Sequence, residues 1–491
     1  MRCPLAPTVG TPASPPHRHP CAAPGQPHDR GAGPCWVSAS LFPPPPGTHQ
    51  GHPRAAPGQP HDRGAGPCWV SAPWPARHLC TVPGRTIAVI PAGVVCPTAG
   101  PPEPATHAPP HRVILLSVSR RLLGHRLWGS LLRASFYGQF VAGQTPPEVG
   151  VTVQRLRALG LRPLLAVPIE EDVGQDKEGE GWYEGNRGAV LGCVGLSAQG
   201  GPQPMMQLKV TALMSARLCV STGRRGGELL TPPFGRERCR GPGTLLSPAE
   251  NRHLQASLLR LDGVTQVRAG VRVLVDAEYT YVNPALTLVT LALMGRWNRA
   301  QPWVWNTYQC YLQDCLVRLG ADAALAERRG FCFGVKLVRG AYLEQERRLA
   351  RERGYPDPLH PTWEATNHSY QHCLDLLLEL VARDGQQCQL IVASHNETSV
   401  SHAIRRMEEL GIAKDGGAVC FGQLLGMCDH VSLALGQAGY AIYKSIPYGA
   451  VEDVLPYLVR RAQENQSVLQ GIRKERDLLR RELWRRLLHR P

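Results

Sequence analysis

The chain has 491 residues, enough for one large catalytic domain of about 250–350 residues with appendages, or for two or three ordinary domains. Its formal charge of +15 gathers at the ends: residues 1–112 hold eight Lys or Arg against Asp29, Asp62 and Glu103, and residues 466–491 hold eight against Glu475, Asp477 and Glu482. With no recognition motif beside it, this distribution argues against nucleic-acid binding. The 16 cysteines include no CxxC pair, Cys310 and Cys315 being nearest in sequence, which fits a reducing compartment and removes weight from the sequons at Asn367, Asn396 and Asn465. The longest apolar run, "LTLVTLALMG" from Leu286 to Gly295, falls far short of the roughly 20 residues that span a bilayer.

Residues 1–110 are rich in Pro, Gly and His. His19–Ala39, "HPCAAPGQPHDRGAGPCWVSA", recurs as His52–Ala72 with Arg54 in place of Cys21. No apolar period accompanies the repeat, so this part is expected to be a disordered extension, with a recent duplication or a doubtful gene model as open readings. From His111 the texture changes to "HRVILLSVSRRLLGHRLWGSLLRASFYGQF", apolar, Arg-rich and free of acids. A domain-leading helix packed by its Leu stripe is preferred there over a targeting or membrane-surface helix. The folded domain is taken as 111–491.

Eight β-type segments follow, at 163–168, 207–213, 271–278, 303–309, 333–340, 388–395, 418–424 and 440–447. Most are continuous apolar runs, as expected of parallel strands buried on both faces. Eight of them with intervening helices predict an α/β fold of the (βα)8 barrel type. A doubly wound sheet should carry a glycine-rich phosphate loop, and neither a GxGxxG nor a Walker motif occurs. Two connections fit poorly: 173–206, with nine glycines and little helical period, and 214–248.

In such a barrel, polar residues at strand C-termini face the site. Candidates are Asp276 and Glu278, Gln309, Lys336, Arg339 with Gly340, Ser394 to Asn396, Gln423 and Ser445; singly, each is more often a turn or a cap. Lys336 and Arg339 lie in the apolar "VKLVRGAY", and buried cations need partners. An anionic or electron-rich ligand would serve, and so would an internal ion pair with Asp276 or Glu278. His368 and His372 in "HSYQH" have metal-ligand spacing but no third ligand, so no metal is expected. In "YGAVEDVLPYLVRRAQEN", Val451, Val454, Leu455, Leu458, Val459 and Ala462 form one helical face, with Tyr457, Arg460, Arg461 and Glu464 on the other side. The arginine pair reads equally as a carboxylate clamp, held by Glu464, or as a solvated face.

Together "VKLVRGAY", "VASHNE", "FGQLLGMCD", "NTYQCYL", "VLVDAEYT" and "YGAVEDVLPYLVRRAQEN" resemble the proline dehydrogenase family, flavoenzymes with a distorted (βα)8 barrel. The resemblance covers 113–490 apart from 173–206 and 214–248. It implies FAD as cofactor, ubiquinone as electron acceptor, and a mitochondrial location on the matrix side of the inner membrane. It implies that Arg460 and Arg461 bind the substrate carboxylate with Glu464 in support, that Leu424 packs on the substrate ring, and that Tyr457 belongs to the same substrate-binding set. Gln309, Lys336, Arg339, Gly340, Tyr342, His395 and Asn396 match positions that line the FAD. Lys336 stands where bacterial members have arginine, and Leu343 where they have tryptophan.

Two departures bear on substrate. Ala166 stands where an aspartate is usual, and Ser445 in "KSIPYG" stands where proline-specific members have tyrosine. Serine leaves room beside the ring and adds a hydroxyl, which suits a hydroxylated ring. The chain therefore resembles most the hydroxyproline-oxidising branch, implying conversion of trans-4-hydroxy-L-proline to 1-pyrroline-3-hydroxy-5-carboxylate. L-proline oxidation is the nearer alternative, and a non-catalytic binding protein or misassembled gene product the more distant one. The basic C-terminal helix reads either as an aid to peripheral membrane contact or as packed by Leu479, Leu483 and Leu487.

Overall fold

The computed structural model describes residues 79–82, 85–88, 111–167, 169, 179–224, 246–267, 270–467 and 469–488. Eight parallel strands close into a barrel: β1 (Arg162–Ala166), β2 (Met205–Leu208), β3 (Arg272–Val275), β4 (Val304–Gln309), β5 (Phe333–Val338), β6 (Cys388–Ala393), β7 (Val419–Leu424) and β8 (Ile442–Pro447). β8 closes the ring on β1, with Tyr443 beside Arg162 and Ser445 beside Leu164. Each strand coincides with one of the apolar runs, because a strand covered by helices outside and by packed side chains inside has no wet face. The second run shifts by two residues: pairing begins at Met205, and Val210–Ala212 is a 3-10 turn.

Strand periodicity of two sorts the interior into layers. Leu164, Met205, Leu274, Trp305, Ile391, Cys420 and Tyr443 pack together with Ala441 as an apolar floor. β5 contributes Gly334 at this level, and a Cβ there would lie 2.6 Å from Trp305 Cγ, so the indole occupies the space this strand leaves. Two residues further along each strand come Ala166, Gln207, Asp276, Thr307, Lys336, Ala393, Gly422 and Ser445. One arc of this second layer is therefore polar and the other is made of small residues.

Three expectations need correction. The glycine-rich stretch 173–206 contains a helix, Glu180–Ala198, which buries Tyr183, Val190, Cys193, Val194 and Ser197 along one face. Its glycines 181, 185, 188, 192 and 195 lie on the open side, where a Cβ would meet nothing within 4 Å. Packing of one face thus outweighs poor propensity on the other. The helix His111–Leu132 buries Trp128 but leaves Leu122, Leu123, Leu127 and Leu131 exposed, so its Leu stripe does not pack on the domain. The same holds for Leu479, Leu483 and Leu487 of the helix Leu469–Leu488. Within the stretch expected to be disordered, Leu79–Val82 pairs antiparallel with Arg85–Ala88; the rest of 1–110, including both copies of the repeat, lies outside the described residues, as does 225–245.

The layering predicts that Gly334→Ala destabilises the barrel by about 1–3 kcal/mol through overpacking against Trp305. Urea unfolding checks it: the midpoint should fall with the slope unchanged, and a wild-type midpoint would mean that the indole does not fill that space.

Candidate active site

The polar arc of the second layer forms one connected row. Lys336 Nζ lies 2.5 Å from Asp276 Oδ1, the Gln207 amide donates to the same carboxylate at 3.2 Å, and the Ser445 hydroxyl donates to Gln207 Oε1 at 2.6 Å. Lys336 and Ser445 are both buried. Burying a lone ammonium would cost several kcal/mol, so the pair accounts for the lysine without any ligand. Of the two sequence readings of Lys336, the internal ion pair with Asp276 is the one observed.

Arg339 is different. Its guanidinium donates to Asn367 Oδ1 at 2.9 and 3.0 Å, to Ser394 Oγ at 2.7 Å and to Ser399 Oγ at 2.8 Å, and it lies 4.4 Å from the Tyr370 ring centre. These partners are all neutral. Burial lowers its pKa from the ordinary arginine value, yet a guanidinium stays charged, so its charge is delivered to the neighbourhood uncompensated by these contacts. Several other candidates have structural duties. Asn396 caps the helix Glu397–Glu409 by accepting from Ser399 N at 3.0 Å. Gly340 takes φ +136°, and a Cβ there would strike the Tyr311 ring at 2.5 Å. Gln309 is held by Asn283 at 2.9 Å and by the Glu278 carbonyl at 3.2 Å.

The opposite wall is built around His395. The Leu424 backbone N–H donates to His395 Nε2 at 3.0 Å, which assigns the ring proton to Nδ1. Burial, with Lys444, Arg461 and Arg339 nearby, pushes this imidazole down to about 3. Lys444 points outward and holds the loop after β7 through the Leu424 and Met427 carbonyls at 3.1 and 2.7 Å and Asp429 at 2.7 Å. Leu424 is thus fixed from two sides.

Above these strand ends runs the helix Val451–Ser467, with Pro456 inside it. Its buried face packs Val451, Val454, Tyr457 and Leu458 against Trp128, Tyr137, Phe140 and Val141. Tyr457 therefore belongs to the apolar face, correcting the sequence-based helical wheel, and its ring carries the Arg461 guanidinium at 5.0 Å. Arg461 is buried, which rules out the solvated-face reading for that residue. Arg460 donates to Tyr342 Oη at 3.4 Å and lies 5.3 Å from that ring, which in turn packs 4.4 Å from Tyr279. The Glu464 side chain lies outside the described residues, although its backbone continues the helix.

Arg460 is thereby joined to Tyr342 at the C-terminal mouth of the barrel, Arg461 acts on His395 through its charge, and Ser445 is connected to Lys336 through the polar row. Gln207 was missed: a single amide within an apolar run gives no local signal, and its partner Ser445 lies 238 residues away. Asn367 and Tyr279 were also missed, because their partners Arg339 and Tyr342 stand on other elements of the barrel. The described group with metal-ligand geometry is also not the histidine pair but Cys310, Cys315 and Cys373, three buried sulfurs within 4.8 Å of one another on the helix-facing side of β4.

Barrel, inward polar row and basic mouth define an α/β-barrel enzyme. The family model for proline dehydrogenase matches residues 200–474. Hydroxyproline dehydrogenase of Xenopus laevis is 59% identical over 392 residues, spanning 77% of this chain and 84% of that protein. The Homo sapiens hydroxyproline dehydrogenase is 57% identical over 400 residues, spanning 77% and 86%. Proline dehydrogenase 1, mitochondrial, from Homo sapiens is 34% identical over 509 residues, spanning 77% and 85%. Among solved structures, proline utilization A from Bdellovibrio bacteriovorus inactivated by N-propargylglycine superposes with a TM-score of 0.56 at 20% identity, covering 72% of this chain and 34% of that one, a likeness of fold. The chain belongs to the proline dehydrogenase family, a family of oxidoreductases.

His395 yields a pH prediction. The unfolded chain takes up this proton near the ordinary value of 6.5, the folded one only near 3, so its contribution to stability is complete above about pH 6.5 and is lost as pH falls toward 3, at up to about 1.4 kcal/mol per pH unit. Denaturant midpoints of wild type and His395→Gln at pH 7 and pH 5 should converge on acidification, wild type losing more. Parallel loss in both proteins would mean that His395 is not held neutral.

Proposed function

We propose that this protein oxidises trans-4-hydroxy-L-proline to 1-pyrroline-3-hydroxy-5-carboxylate with FAD as cofactor and a quinone as electron acceptor. The observation that carries the reading is Ser445, whose buried hydroxyl is held in the inward-facing layer below the arginine-bearing helix. The names of the most similar relatives support the same substrate. Proline-specific members of the family place a tyrosine here; serine replaces that volume by space and a polar atom, which favours a ring bearing a hydroxyl.

Each residue then has a task. Arg460 and Arg461 clamp the substrate carboxylate with planar forks of donors, Glu464 supports them, Tyr457 carries the Arg461 guanidinium, and Leu424 packs on the ring. The residues fit FAD: Arg339, half-buried among neutral partners, supplies positive charge to an anionic group, and Gln309, Lys336, Gly340, Tyr342, His395 and Asn396 line the same mouth. When bound, FAD supplies the two-electron oxidation of the ring. The protein holds the ring in place, keeps His395 neutral beside it and keeps water from the reacting bond; no nucleophile or metal is required.

A mitochondrial setting follows the name of the 34% identical relative, and no described helix is long and apolar enough to cross a membrane. Peripheral contact with the matrix face of the inner membrane fits the exposed Leu479, Leu483, Trp484 and Leu487, interspersed with Arg480, Arg481, Arg485 and Arg486. The protein should therefore co-sediment with anionic vesicles, and Leu483→Glu with Leu487→Glu should release it; equal retention of both forms would reject this surface.

The purified chain should show flavin absorbance, whose absence would favour a non-catalytic protein. On that holoenzyme, Ser445→Tyr should lower the hydroxyproline-to-proline ratio of kcat/KM by at least about tenfold. An unchanged ratio would sever Ser445 from substrate choice.

A further inference from the structure

The row Ser445–Gln207–Asp276–Lys336 has a direction as well as a connection. Asp276, ion-paired with Lys336, offers only acceptors toward Gln207, so the Gln207 face nearest to it must be the NH2. The amide oxygen is then turned to Ser445, and at 2.6 Å it takes the serine proton. A serine hydroxyl has one proton and two lone pairs. With the proton committed to Gln207, what Ser445 presents to a ligand is an acceptor.

We propose that Gln207 is a specificity-determining positioning residue: anchored by the Lys336–Asp276 pair, it fixes Ser445 as a hydrogen-bond acceptor, so that the site selects ring substituents that donate a proton. A hydroxyl qualifies, whereas fluorine or a methoxy group of similar position does not. This rests on the reading above that Ser445 faces the substrate ring. It adds a polarity that a lone serine, free to rotate its proton toward either kind of partner, would not have. Gln207 belongs to the second layer by strand parity, two residues beyond the floor residue Met205, and Leu208 beside it points into the outer core. A single residue of register separates an amide in the row from an amide buried among helices.

The test uses carboxylic acids without a ring nitrogen, which bind but cannot be oxidised at a C–N bond: cyclopentanecarboxylate and its trans-3-hydroxy, trans-3-fluoro and trans-3-methoxy derivatives. Their dissociation constants for the wild-type holoenzyme are measured by calorimetry. The hydroxy acid should bind about tenfold more tightly than the unsubstituted acid, the worth of one hydrogen bond, and the fluoro and methoxy acids should gain nothing. A fluoro or methoxy acid that binds as tightly as the hydroxy acid overturns the proposal, and this arm needs no variant. In Gln207→Leu, the serine proton is released and can donate to an ether oxygen, so the methoxy acid should gain affinity and the hydroxy-to-methoxy ratio should fall by at least about threefold. A hydroxy-to-methoxy ratio that is unchanged in Gln207→Leu also overturns it. Ser445→Ala separates the two levels of inference. If the hydroxy acid keeps its advantage there, Ser445 does not face the ring and the functional reading fails. If the advantage is lost in Ser445→Ala while the hydroxy-to-methoxy ratio is unchanged in Gln207→Leu, Ser445 faces the ring and only the role of Gln207 is refuted.

Discussion

A charge pair sealed inside the barrel, Lys336 against Asp276, constrains everything around it. Inward positions at this level divide around it: Gln207 extends the polar row and reaches Ser445 across the small Ala166, while Ala393 and Gly422 leave space on the other side. The floor beneath is apolar and closed by Trp305, so the pair is reached only from the C-terminal mouth. Breaking such a pair by removing one partner typically costs 3–5 kcal/mol, roughly a third or more of the stability of an ordinary domain. The site is therefore bound up with the core that supports it.

A second group of cations surrounds this polar wall. Arg339 is held by neutral oxygens, Lys444 by carbonyls and Asp429, and Arg461 is buried on the Tyr457 ring. They add to burial, the larger cause, in keeping His395 uncharged, and they make the mouth of the barrel suited to anions. The proposed carboxylate substrate and flavin nucleotide are both anionic, and the C-terminal face is where barrel enzymes place their chemistry. Fold and electrostatics thus point to the same end of the molecule before any relative is compared.

Much of this was legible in the sequence, for physical reasons. All eight strands appeared as apolar runs because both faces of a barrel strand are dry, and Lys336, Arg339, His395 and Ser445 stood out as polar residues at their ends. The helix Glu180–Ala198 did not, because its glycines sit on the face that packs against nothing, and local propensity cannot know which face is covered. Tyr457 was assigned to the wrong side because its phenol reads as polar while its ring is buried. Gln207 was invisible for a deeper reason: its meaning depends on the closure of β8 on β1 and on strand register, and neither is written near residue 207. The Leu stripes of the two terminal helices carried the opposite lesson, since amphipathic pattern alone does not say whether protein or lipid covers the apolar face.

The central claim is that this barrel is shaped for a hydroxylated proline ring. Steady-state kinetics of the unaltered holoenzyme on trans-4-hydroxy-L-proline and L-proline, with a soluble quinone as acceptor, test it most directly. The account predicts the larger kcat/KM for the hydroxylated amino acid; an equal or larger value for L-proline would contradict it.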